Sequence, residues 1–461
     1  MKKLYIILLI FPLIGFGQEW KQIFGTEKYN DKGILSNYPH ELGRSVQQTI
    51  DGGYIICGTT HLYSNYSPSI YLIKTDENGN EEWSKELGYV DNSYPSPIYG
   101  SELGYSIQQT IDGGYIICGE GDYNYNENIF GSNTGVLIIK TDQNGNEEWV
   151  QSYEGNIGRD IKQTSDGGYI ICGESEGPWT DVLLLKIDQN GNEEWVQNFG
   201  GEYHETGYSI EQTSDGGYIL IGTQDNLETF SPLQPMLIKT NNSGELEWVQ
   251  FFSESSPVSF LPWYGYFVQQ TSDNGYVFGG SCSFSNSEGF FGSYLIKTNV
   301  IGVEEWVTFL PGNEVRDVEQ TNDGGYVLCG SINNQETSSV DIYLVKLNND
   351  GDEQWTEIFG GTETPFGIID DENEYGYSID QTSDGGFVVC GDTQYNSNHI
   401  DIFLLKTFGG TTSTIELPTP QSKRELLKTT NILGQENTTI KNQPLIEIYD
   451  DGSVEKKYII E

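Results

Sequence analysis

The sequence predicts an all-β fold, a seven-bladed β-propeller of four-stranded antiparallel blades, and three observations carry that reading. An Asp-(Gly/Asn)-Gly-aromatic tetrad begins at Asp51, Asp112, Asp166, Asp215, Asp273, Asp323 and Asp384, at intervals of 49–61 residues. A tryptophan that usually follows glutamate recurs with it, at Trp20, Trp83, Trp149, Trp195, Trp248, Trp306 and Trp355. No segment between these landmarks has helical periodicity. A unit of about 50 residues holds four short strands but leaves no room for the helix that a barrel or doubly wound sheet adds to each repeat.

The chain begins with Lys2 and Lys3, then a nearly all-apolar run from Leu4 to Phe16, with Gly15 and Gly17 ahead of Gln18. A basic start, a short apolar core and small residues at −3 and −1 mark a secretory signal peptide over residues 1–17. No cysteine lies near the cleavage point to carry a lipid. No later apolar run is long enough to span a bilayer, so the mature chain is expected to have no transmembrane segment. The first tryptophan strand, Glu19 to Gly25, precedes every tetrad. The seventh unit has a third strand, Ile402 to Lys406, but no tryptophan strand after it. The N-terminal strand should therefore complete the last blade. That closes a ring over residues 18–410 and removes the open edges of a linear array.

The third unit shows the internal pattern. Residues 158–164 read GRDIKQT, and the turn SDGG follows. Tyr169 to Gly173 is the second strand and Asp181 to Lys186 the third. Asn190-Gly191 then supplies a strong hairpin signal, and Glu193 to Phe199 alternates so that Trp195, Gln197 and Phe199 share one face. Glycine is 56 of 461 residues, and these two turns account for much of the excess, because a glycine takes φ > 0 without steric cost. Successive strands are antiparallel, so the two short turns emerge on one face. The irregular connections emerge on the other: 59–69, 88–103, 120–134, 223–234, 251–265, 283–292, 331–340, 360–376 and 392–399. Variable loops held by a rigid scaffold carry function, so this long-loop face is the expected binding face.

Candidate chemistry is sparse. Five of the six cysteines, Cys57, Cys118, Cys172, Cys329 and Cys390, occupy one repeat slot, and Cys282 lies just outside it. They are expected as buried free thiols, since equivalent strand positions do not meet at bonding distance. His61 and His204 are expected in long loops, and His40 ahead of the first blade; four histidines build no recurrent zinc site. Asp76-x-Asn78-Gly79-Asn80 and Asp142-x-Asn144-Gly145-Asn146 are read as turns, because an EF-hand loop needs glycine at its sixth position. Asp370, Asp371, Glu372 and Glu374 cluster in a long loop and could hold a hard cation such as Ca2+. Arg44, Gln48, Lys162, Arg316, Asp317 and Asp380 fall on innermost strands and suggest a polar channel. No Ser-His-Asp set or defined carboxylate pair stands out, so no catalytic residue and no cofactor is assigned. Tyr94, Tyr99, Tyr123, Tyr125, Trp179, Trp263 and Tyr264 are the aromatics expected on the long-loop face, where they could stack on sugars or anchor a surface protein.

Residues 411–423 are rich in Thr, Ser and Pro and read as a linker. In residues 424–461, Asn431-Ile432-Leu433-Gly434-Gln435-Glu436, Pro444-Leu445 and the run IYDDGSVEKK from Ile448 to Lys457 resemble the C-terminal sorting segment, type A-like, of the type IX secretion system of Bacteroidetes. The resemblance implies that the secretion machinery recognises the tail and that the protein is released outside the cell or held on its outer surface. The propeller unit also resembles tetrad-glycine repeats of other secreted bacterial propellers, which implies no activity.

With 68 acidic and 23 basic residues the chain carries a formal charge of −45. That excludes nonspecific binding to nucleic acid and suits solubility in an exported protein. The reading that follows is a secreted or cell-surface, non-catalytic binding module for carbohydrate or cell-envelope components. An extracellular polysaccharide hydrolase or lyase, and a purely structural scaffold, are the alternatives.

Overall fold

Each tetrad turn is tied off by its own aspartate. In the first, Thr49 Oγ1 and the Gly53 N–H both donate to Asp51 Oδ1, while Gly52 sits at φ 88°. A Cβ on Gly53 would overlap the Thr75 carbonyl oxygen, so glycine is required there as well. The hydrogen bonds repeat at all seven tetrads, and six share the positive-φ glycine; the fifth puts Asn274 at φ 66° in its place. The second turn is built around Asp76, whose carboxylate accepts the N–H groups of Asn78 and Asn80. That carboxylate is occupied by the turn, as its sequence predicted.

These turns join four strands per blade. A computed structural model describes residues 18–25, 40–62, 68–88, 90–91, 98–99, 102–122, 134–177, 179–225, 233–252, 263–283, 291–334, 339–360, 373–395, 399–407, 426–431, 444–449 and 454–458. The first blade is His40–Gln48, Tyr54–Leu62, Ser69–Thr75 and Glu81–Leu87, all antiparallel neighbours. Six more four-stranded sheets follow, with innermost strands Leu103–Gln109, Ile157–Gln163, His204–Gln212, Phe267–Gln270, Glu314–Gln320 and Asn373–Gln381. In the last blade Gln18–Phe24 pairs with His399–Thr407, with Ile23 opposite Phe403. The protein is thus a seven-bladed β-propeller closed by its N-terminal strand, and its described residues contain no helix.

The core lies in the seams between blades. Each outer-strand tryptophan reaches the tetrad aromatic of the next blade: Trp20 meets Tyr54 at 5.7 Å, Trp83 meets Tyr115 at 6.0 Å, and Trp195 meets Tyr218 at 6.0 Å. Trp355 packs into the cluster of Phe387 and Phe403. The innermost strand of one blade approaches the second strand of the preceding blade so closely that a Cβ on Gly104 would lie 2.7 Å from Cys57 Sγ. Cysteine fills this apolar slot in five blades, Ile221 in the fourth and Gly279 in the fifth. All six cysteines are buried and free.

The third strand contributes a lysine in every blade: Lys74, Lys140, Lys186, Lys239, Lys297, Lys346 and Lys406. Each is buried to 5% exposure or less. Its ammonium pairs with the tetrad aspartate of the same blade, and in the first five blades also with the glutamate before the outer tryptophan.

The chain divides into two compact units, residues 1–410 and 411–461. In the second, Leu426–Asn431, Pro444–Tyr449 and Val454–Tyr458 form a three-stranded antiparallel sheet.

Candidate functional site

Seven innermost strands surround an axial cavity of about 790 Å³. Each strand runs from the long-connection side toward its tetrad turn, so its first residues line the long-loop mouth. Alternation brings residues such as Ser45 and Gln47 into the cavity, and a β-bulge in six of the innermost strands turns the preceding residue, such as Arg44, toward it as well. Three layers result.

The layer nearest the long-loop mouth is Arg44, Tyr105, Arg159, Tyr208, Tyr266, Arg316 and Tyr377, one residue per blade. Guanidinium groups lie over neighbouring rings: Arg44 is 4.8 Å from the Tyr377 centroid, Arg316 is 4.2 Å from Tyr266, and Arg159 is 5.5 and 5.2 Å from Tyr105 and Tyr208. Tyr208 and Tyr266 meet edge to face at 5.5 Å. Carboxylates set behind the ring orient the arginines. Arg159 Nη2 donates to Glu174 at 2.8 Å and Arg316 Nη2 to Glu314 at 2.6 Å. Burial pushes Asp392 up to about 7, with Arg44 opposing the shift. The ring keeps unspent donors. Arg44 makes no side-chain hydrogen bond among the described residues, and Arg316 Nε is buried without a partner.

The deeper layers are Ser45, Ser106, Asp160, Ser209, Phe267, Asp317 and Ser378, then Gln47, Gln108, Lys162, Glu211, Gln269, Glu319 and Asp380. Most of these side chains bolt one blade to the next. Asp160 accepts from Ser106 and from the Ile210 N–H, Asp317 from Ser378 and the Ile379 N–H, and Asp380 from the Gln48 N–H. Gln47 and Gln108 accept the Gln109 and Gln163 N–H groups in the same way. Lys162 donates to Asp160 of its own strand, and Glu319 accepts from the Gln269 side chain of the preceding blade rather than from a backbone N–H. Burial raises Asp317 and Asp380 to about 6. Burial, with the charges of Asp317 and Asp380 added, raises Glu319 to about 8.

The sequence expectations meet this geometry unevenly. Arg44, Lys162, Arg316, Asp317 and Asp380 do line the channel. Gln48 turns away from it, donating to the Gly52 carbonyl and accepting from the Ser383 N–H. Tyr94, Tyr123, Tyr125, Asp370, Asp371 and Glu372 lie outside the described residues, and of Tyr99 only the backbone is described, paired with Val90. Trp179 is 41% exposed and lies against His204 at 5.1 Å with the rings tilted at 55°. His204 itself begins an innermost strand rather than lying in a loop, because that strand starts earlier than its tetrad suggests. Trp263, expected on the binding face, is 6% exposed and packs on Tyr294 and Phe309, because it bridges to Cys282 beside the fifth blade. Tyr264, two residues nearer the long-loop side, stacks on Tyr266 of the ring at 5.9 Å. Glu374 is not a loop acid: it lies in the innermost strand of the seventh blade, buried and paired with Lys21. The tyrosines of the ring went unrecognised. The signal was present, a residue after glycine and two before Val or Ile in six of the seven innermost strands, with Val315 in place of the glycine in the sixth.

No protein-family model and no curated protein sequence matches the chain. Among solved structures, a protein of unknown function from Dyadobacter fermentans DSM 18053 is similar over 85% of this chain and 98% of its own, at 9% identity and a TM-score of 0.48. An alpha-L-arabinofuranosidase from Fusarium graminearum with an iminosugar inhibitor matches over 84% and 97%, at 10% identity and 0.43. The GH93 alpha-L-arabinofuranosidase of the same organism with arabinobiose matches over 85% and 98%, at 11% identity and 0.42. Likeness at this level transfers no activity. Among the described residues no helix is long and apolar enough to cross a membrane.

Proposed function

We propose that the chain is an extracellular or surface-held binding module that takes a carbohydrate at the long-loop mouth of its channel. The carrying observation is the ring of Arg44, Tyr105, Arg159, Tyr208, Tyr266, Arg316 and Tyr377. Tyrosine rings stack on the apolar faces of sugars, and guanidinium groups donate to hydroxyl or carboxylate oxygens. The arginines are already oriented by neighbours, so little side-chain entropy remains to be lost on binding. The leader over residues 1–17 and the tail over residues 424–461 support export by the type IX route. The strand pairing on either side of Asp450-Asp451-Gly452 supports the hairpin reading of that tail.

A hydrolase or lyase reading is favoured by one observation, the raised Glu319, which stays protonated near neutrality as a general acid would. Against it, Asp317 and Asp380 are spent on neighbouring backbone N–H groups. A glycan array probed with the mature protein tests the binding reading. Arg316→Ala and Tyr266→Ala are expected to abolish binding that Trp179→Ala retains. Equal binding by all three variants would remove the ring from the site, and release of reducing ends or unsaturated products from any polysaccharide would move the reading to catalysis.

A further inference from the structure

At the start of four innermost strands a glutamate stands two residues before a glycine: Glu41, Glu102, Glu205 and Glu374. Their exposures are 0%, 4%, 0% and 3%. A buried glutamate needs a compensating charge or proton. In the seventh blade Glu374 has one, the ammonium of Lys21 on the outer strand. The residue equivalent to Lys21 in the fourth blade, the one after the outer tryptophan, is Val249, and it packs into an apolar cluster.

Glu205 therefore lacks that partner, and a second acid stands beside it. Asp181 opens the third strand of the preceding blade, and a Cβ on Gly200 would overlap both Asp181 Oδ1 and Glu205 Oε2. Glu205 Oε1 accepts from Gln224 Nε2 at 2.8 Å, but Oε2 is buried with no hydrogen-bond partner and faces the Asp181 carboxylate. No lysine or arginine is paired with either acid among the described residues. His204 lies near, with Nδ1 taken up by Thr180. Burial raises both carboxyls; at Glu205 the charge of Asp181 adds to the shift, while hydrogen bonding from Gln224 and the Gly201 N–H and the nearness of His204 oppose it. Gly200 and Gly201 above the pair are exposed, which leaves a short path from solvent.

We propose that Asp181 and Glu205 hold a hard divalent cation of the calcium class in the seam between the third and fourth blades. Oxygen-only donors select a hard cation. Calcium tolerates an irregular shell in which two carboxylates are completed by water at the exposed glycines. The ion would do for Glu205 what Lys21 does for Glu374. It would also brace the segment Trp179-Thr180-Asp181, which presents the exposed tryptophan.

The test is calorimetric titration of chelator-treated full-length protein with CaCl2, alongside thermal melts with and without the ion. The wild type is expected to bind calcium and to melt higher with it. Asp181→Asn and Glu205→Gln, both isosteric, should each lose one bound equivalent and melt higher than wild type in chelator. Asp142→Asn, which alters an exposed turn acid, should bind as wild type does. The proposal is overturned if the wild type binds no calcium, if both site variants bind as many equivalents as wild type, or if Asp142→Asn is the variant that loses one. A melt that responds to pH but not to calcium would mean that the two carboxyls share a proton, which also overturns it.

Discussion

Lys239 is 2% exposed, yet its ammonium touches two carboxylates that reach water, Asp215 at 3.0 Å and Glu247 at 3.1 Å. The two sides of this contact are unequal. Removing the lysine frees Asp215 and Glu247 to hydrate. Removing Asp215 leaves a buried ammonium short of a partner and also strips the acceptor from Thr213 Oγ1 and the Gly217 N–H. Asp215→Ala is therefore expected to cost about 2–3 kcal/mol, and Lys239→Met about 1 kcal/mol, in urea unfolding monitored by fluorescence. Equal losses would refute the asymmetry. The lysine was not legible as a structural cation. It stands inside an apolar third strand, and its acids come from a turn 24 residues before it and a strand eight residues after it. Only sheet pairing brings the three together. The aspartate was legible, because its partners, Thr213 and Gly217, are two residues away on either side.

At the scale of strands, local chemistry and function part company. Turn residues set the hairpins, so strand order and the closing role of Gln18–Phe24 could be read before any coordinates. Burial could not be read in the same way. Trp263 follows a long irregular connection and looked like a surface anchor, yet it fills the fifth blade. The ring tyrosines share one repeat position with arginines, and only the closure of seven strands turns these residues toward one axis. The closing strand carries a testable consequence. Deleting residues 18–25 leaves His399–Thr407 as an open edge and removes Trp20 from Tyr54 and Lys21 from Glu374. The truncated chain is expected to self-associate at concentrations where the intact chain is monodisperse, as light scattering would show. An unchanged scattering mass would argue that the edge is covered in another way.

The whole molecule should have a two-sided pH profile. Burial opposes ionisation of Asp273, but hydrogen bonds from Thr271 and Lys297 outweigh it and hold the group at about 2; the other six tetrad aspartates are lowered too. A lowered acid contributes stability above its unfolded value near ~4, and that contribution is lost as pH falls through the folded value. Glu319 at about 8, Asp392 at about 7, and Asp317 and Asp380 at about 6 act in the opposite sense. Between their unfolded values near ~4 and these folded values the native state binds more protons, so stability falls as pH rises. The charge of −45 adds self-repulsion on the same side. Scanning calorimetry should find the highest Tm near pH ~4–5, with a loss on each side. Glu319→Gln should flatten the limb between pH 5 and 8, and a wild-type Tm that climbs across that limb would contradict the account. Closure through the first strand also orders events in time. Trp20 pairs with Lys406 across nearly the whole ring, so the first strand to be made is the last to find its partner. A chain emerging from its N-terminus cannot finish its ring until residue 407 is free, whereas each blade's own hairpins can form as they appear. The slow step in folding is therefore expected to be this one long-range pairing, which must close a loop of nearly the whole ring, rather than the hairpins of any blade.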